Sequence, residues 1–139
     1  MKAQTRPSRP PLPRQVRGNV NYLCSYLQRH VPTVSALPPQ ATYLVWVDCS
    51  RLVEQLRLEP PTSLSEWMLD AGLCLSPGTE FDPTGASDGF MRINVACPRA
   101  LVENAATQLR RAVDAALLRV GSTAAMPDAA APPSVGSPC

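Results

Sequence analysis

Apolar residues recur along this chain with two different periods, and each change of period marks a new element. From Asn19 to Val31 the residues Val20, Leu23, Cys24, Leu27 and Val31 stand three or four apart, which predicts an amphipathic helix capped by Asn19 and closed by Pro32. Residues Ala41 to Asp48 are β-branched, aromatic and apolar on both faces, so they predict a central strand covered on both sides, with Tyr43 and Trp46 in the core. Ser50 to Thr62 reads as a connection with at most a short helix, because Pro60 and Pro61 follow Leu52, Val53, Leu56 and Leu58. Ser63-Leu64-Ser65-Glu66 has the form of a capping box, Leu64, Trp67, Met68 and Ala71 share one helical face, and Gly72 stops the helix. Leu73-Cys74-Leu75 predicts a brief strand, and the stretch to Gly89 has loop composition.

The chain then organises itself around Gly89 to Arg99. Strict alternation puts Met91, Ile93 and Val95 on one face of a strand and Phe90, Arg92 and Asn94 on the other. Arg92 is thereby expected to point away from the main core, at the centre of an otherwise apolar strand. Pro98 suits the first position of the next helix, where a missing N–H is tolerated. That helix is expected to run about twenty residues, burying Leu101, Ala105, Leu109, Val113 and Ala116.

Composition limits what such a domain can do. The 139 residues carry 13 basic and 11 acidic side chains, a net charge of +2 that favours neither nucleic acid nor a membrane surface as partner. The 16 prolines gather at the ends and in connections. Residues 1–17 are read as a disordered basic, proline-rich arm, 18–120 as the domain, and 121–139 as a disordered Ala/Pro/Ser tail. Five widely spaced cysteines and a single histidine, His30, exclude the usual zinc spacings, so no metal ligand is assigned. The odd cysteine count, their apolar settings and the lack of a signal peptide predict reduced, buried thiols and a cytoplasmic location. His30 is expected to be a solvated residue at a helix end. Lys2 is the only lysine, so chemistry that needs a buried lysine lies beyond the folded part.

The order helix, strand, helix, strand, strand, helix predicts an α/β (α+β) two-layer sandwich, a small, mainly antiparallel sheet with helices packed on it. Glycine-rich phosphate loops, nucleophile elbows, HExxH motifs and paired carboxylates are all missing, so no catalytic residue is assigned.

Several segments in their order are nevertheless familiar: Pro39-Gln40-Ala41-Thr42-Tyr43-Leu44-Val45-Trp46-Val47-Asp48, Leu75-Ser76-Pro77-Gly78 with Phe81, Met91-Arg92-Ile93-Asn94, and Cys97-Pro98-Arg99. Over roughly residues 18–118 they resemble the carboxyl-terminal small domain of fold type I pyridoxal-phosphate (PLP) enzymes, the aminotransferase class I and II superfamily. Within it the resemblance is to the carbon–sulfur β-lyase branch, the cystathionine β-lyase and maltose-regulon-modulator type. The resemblance implies that Arg92 makes a two-pronged salt bridge with the α-carboxylate of an amino-acid substrate. It also implies PLP as the cofactor and a homodimer as the assembly of the complete enzyme, with the cofactor lysine and most cofactor-holding residues on a preceding large domain. This chain alone is therefore expected to bind no cofactor and to be inactive. The alternative is a stand-alone binding or interaction module derived from that domain.

Overall fold

A computed structural model describes residues 14–58 and 63–124. The expected structure of residues 1–13, and of the tail from 125 onward, lies outside the described residues. Helix α1 spans Arg14–His30, β1 Ser35–Leu37, β2 Leu44–Asp48, α2 Ser50–Leu56, α3 Leu64–Asp70, β3 Ser76–Pro77, β4 Phe90–Asn94 and α4 Arg99–Ala124, with a 3-10 turn at Gly78–Phe81. The four strands form one antiparallel sheet in the order β1-β2-β4-β3. The helices supply the second layer, so the two-layer architecture expected from the sequence is the one observed.

The core lies between the sheet and these helices. Val45 and Val47 of β2 and Met91 and Ile93 of β4 meet Leu23 and Leu27 of α1, Leu52 of α2, Met68 of α3 and Leu109 and Val113 of α4 in one buried cluster. Helix α1 starts five residues before Asn19, inside the segment read as the arm, because Val16 extends the buried stripe of Val20, Leu23 and Leu27 by one turn. Asn19 is consequently no cap; it sits mid-helix and fully buried. The long helix α4 also outlasts the expected domain end at 120, and its buried face is Val102, Ala106, Leu109 and Val113. Leu101, expected inside, is exposed, because Val102 and Ala106 take the buried positions in the first turns, while Leu109 and Val113 are buried as expected.

Two further expectations change, and one open reading resolves. The brief strand falls at Ser76–Pro77 instead of Leu73–Leu75, where pairing with Met91 and Arg92 fixes it. The ambiguous connection contains the short helix α2, begun where Asp48 Oδ1 accepts from Ser50 N at 2.9 Å and ended by Arg57 in the left-handed region at φ 50°. Strand β2 is buried on one face only, as Val45 and Val47 alternate with half-buried Leu44, Trp46 and Asp48. Tyr43 is exposed, and Trp46 packs edge-on against Phe90 across the open face, so neither belongs to the core cluster.

The thiols are not uniformly buried. Cys74 is exposed, Cys24 and Cys97 are half-buried, and Cys49 is enclosed, where burial and the nearby Asp48 carboxylate push its thiol up to about 12. None of the four is in a disulfide.

Candidate functional site

Arg92 stands at the middle of β4, which is bonded along both sides. Its backbone lies opposite Trp46 of β2 and Ser76 of β3. The strand is fixed at both ends as well: Cys49 N donates to Gly89 O at 2.8 Å, and Val95 N donates to Tyr43 O at 3.0 Å. Beyond the strand, Asn19 Nδ2 reaches out of α1 to donate to Val95 O at 3.0 Å and to Cys97 O at 2.8 Å. That amide ties the crossover into α4 to the first helix, a role the sequence reading did not assign. Its position was a usable signal, since a residue three after Val16 and four before Leu23 faces the core.

The alternation of β4 sends Arg92 to the open face of the sheet, as expected. The guanidinium carbon lies 3.4 Å from the ring centroid of Phe81, face contact between a planar cation and an aromatic ring. Arg92 Nε is buried with no hydrogen-bond partner, while the residue as a whole keeps part of its surface. The remaining accessible area therefore lies on atoms other than Nε. Among the described residues the salt bridge observed is Arg110 with Asp114 on α4, far along the chain from Arg92. Arg92 is thus a half-buried cation without a carboxylate partner there.

Phe81 owes its place to the turn that follows it. Asp82 accepts from Thr84 N at 2.9 Å, Thr84 Oγ1 at 2.6 Å and Ser87 N at 2.8 Å, closing a compact loop ahead of β4. These bonds, the Thr84 hydroxyl foremost, lower the Asp82 carboxyl from 3.8 to about 2. The sign is that of a depressed acid: the loop gains from ionised Asp82 above its ordinary value and loses that gain as pH falls toward about 2. Asp82→Asn is expected to flatten this limb. Thermal melts across that window should show a shallower acid fall for the variant than for the wild-type chain, and parallel curves would refute the assignment.

Other candidates resolve simply. His30 is exposed at the end of α1, as expected, and its ring lies 4.6 Å from that of Tyr26. Among the described residues no group of histidine, cysteine, aspartate and glutamate side chains could hold a metal ion. No helix among them is long and apolar enough to cross a membrane.

With this geometry in view, comparison with known proteins decides the family. Residues 11–109 match the model of the aminotransferase class I and II family. The chain belongs to that family. It is 30% identical over 99 residues to the cystathionine beta-lyase PatB of Bacillus subtilis, which covers 70% of this chain and 24% of that protein. A putative cystathionine beta-lyase of Mycobacterium tuberculosis is 34% identical over 107 residues, covering 68% of this chain and 26% of the relative. The crystal structure of the PLP-bound C–S lyase from Staphylococcus hominis superposes with a TM-score of 0.63 at 27% identity, over 70% of this chain and 25% of that one. The chain thus spans about a quarter of the length of the relatives it matches. These relatives bear out the resemblance to the carbon–sulfur lyase branch, and the match begins seven residues earlier than position 18.

PLP bound through a lysine does not fit the described residues. None of residues 14–58 and 63–124 is a lysine, and Lys2 lies outside them. What they offer instead is one positioned guanidinium on an open sheet face.

Proposed function

We propose that this chain supplies the substrate-carboxylate side of a PLP-dependent carbon–sulfur β-lyase or aminotransferase, and that Arg92 holds the α-carboxylate of an amino acid. The observation that carries the reading is the state of Arg92, mid-strand on the open face, flat against Phe81 and without an acidic partner among the described residues. A guanidinium keeps its charge at any working pH and offers parallel N–H donors to the two oxygens of a carboxylate. With Nε sealed, those donors are the terminal nitrogens. The relatives' names add the expectation of a sulfur amino acid as substrate. Arg92 orients that substrate and breaks no bond. In the complete enzyme a second domain, with its own cofactor lysine, lies over the open face, and two such chains pair as a homodimer. Exposed Leu37 and Phe81 on or beside that face support this reading over a stand-alone module.

The test uses the 139-residue chain and propionate as a bare carboxylate. Arginine side-chain NMR signals are followed during titration. Arg92 should shift saturably in the wild-type chain, and Arg92→Gln should abolish saturable binding. Equal binding by both chains sinks the reading. Supplied with PLP and cystathionine, the same chain should release no pyruvate above the background of the cofactor alone, and turnover above it would show that no second domain is required.

A further inference from the structure

We infer that Phe81 is a positioning residue for Arg92, setting the plane of its guanidinium and leaving only its terminal edge open to a carboxylate; the inference rests on the carboxylate reading of Arg92. Phe81 is 48% exposed, which is unusual treatment for a phenylalanine whose only task is packing. It contributes nothing to the buried core cluster. Its ring instead lies at 3.4 Å against the one arginine of β4.

A planar cation can be approached on two faces and along its edges. At Arg92 the Phe81 ring covers a face, and the Nε edge is buried. The terminal pair of nitrogens is then the edge left for two parallel hydrogen bonds, the geometry that a carboxylate matches. Without the ring, the guanidinium would rotate about its last torsions and present that edge only part of the time. The backbone that carries the ring is held on both sides. Buried Gly78 opens the 3-10 turn that ends at Phe81, and Asp82, the next residue, is locked by its bonds to Thr84 and Ser87. The backbone that carries Phe81 is therefore set by the turn and the Asp82 loop, with no part taken by Arg92.

The experiment compares wild-type, Phe81→Leu, Phe81→Tyr and Arg92→Gln forms of the full 139-residue chain by propionate titration. In the wild-type chain the Arg92 Hε signal should carry a ring-current shift from Phe81. Phe81→Leu should lose that shift and bind propionate roughly three- to ten-fold more weakly, the range set by an exposed cation–π contact and the ordering it imposes. Phe81→Tyr, which restores the aromatic face, should recover both. Arg99, whose guanidinium carbon lies 4.9 Å from the Tyr22 ring, is the internal control and should not move in any of them. If Phe81→Leu does not fold, Phe81→Met replaces it, keeping bulk without an aromatic face. Propionate binding by Phe81→Leu equal to wild type, with Arg92→Gln inert, overturns the role of Phe81 alone. Binding by Arg92→Gln equal to wild type overturns the carboxylate reading and this inference with it.

Discussion

An Asn19→Asp chain is expected to lose about 3–5 kcal/mol of stability at neutral pH, the cost of leaving a buried charge without a partner. Asn19 is fully buried, and its amide donates to two carbonyls, Val95 O and Cys97 O. An aspartate there turns an acceptor toward two acceptors. Oδ1 offers no relief, because it too is buried without a hydrogen-bond partner. The folded variant must therefore raise the pKa of Asp above its ordinary value of about 3.9, since burial disfavours the ionised form. A raised acid costs least below its unfolded pKa and most once pH has passed the folded one. Urea unfolding of variant and wild type should give midpoints that lie close together in acid and separate steadily toward pH 7. A gap that is the same at both ends of the range would mean that the introduced aspartate buries no unpartnered charge. Asn19→Ala is the companion: about 1–3 kcal/mol with no pH dependence, since Val95 O loses its side-chain donor while Cys97 O keeps the longer bond from Gln15 Nε2 at 3.3 Å.

Gly78→Ala is expected to cost about 1–3 kcal/mol, an overpacking penalty, and to detach Phe81 from Arg92 as well. A Cβ on Gly78 would stand 2.7 Å from Ser87 O and 3.0 Å from both Phe90 Cβ and Trp46 Cζ3. Ser87 O cannot swing aside like a flexible side chain. It is backbone, and it accepts from Phe90 N at 3.1 Å at the entry to β4. The turn carrying Phe81 has to shift, so the loss in melting temperature should come with loss of the ring-current shift at Arg92. A variant that melts like wild type, or that melts early but keeps the shift, contradicts this account.

What the sequence revealed depended on how local each signal was. The capping box needed nothing beyond four residues, and it is there: Ser63 Oγ accepts from Glu66 N at 3.2 Å, and Glu66 accepts from Ser63 N at 2.9 Å. The face of Arg92 followed from alternation within β4. Strand β1 carried no such signal, being three residues of Ser-Ala-Leu that become a strand only by pairing with Trp46, Val47 and Asp48. Pairing likewise decided that Ser76–Pro77 and not Leu73–Leu75 forms β3. The apolar character of β2 on both faces was real, but hydrophobicity states that a surface needs cover and not whether this stretch of chain provides it. At the site, Arg92 was legible; the ring against it was visible only as part of a motif, because the contact between residues 81 and 92 depends on how the loop between them closes.

The shortness of the outer strands has a consequence for how this domain meets anything else. Its sheet is bordered by β1, three residues long, and β3, two residues long and containing Pro77, which has no N–H to give. Free edges of that length are poor templates for an added strand, and this is one way natural sheets escape edge-to-edge aggregation. Neither outer strand offers another chain a long, regular edge. The open face instead presents side chains, Trp46, Phe81 and Arg92 among them.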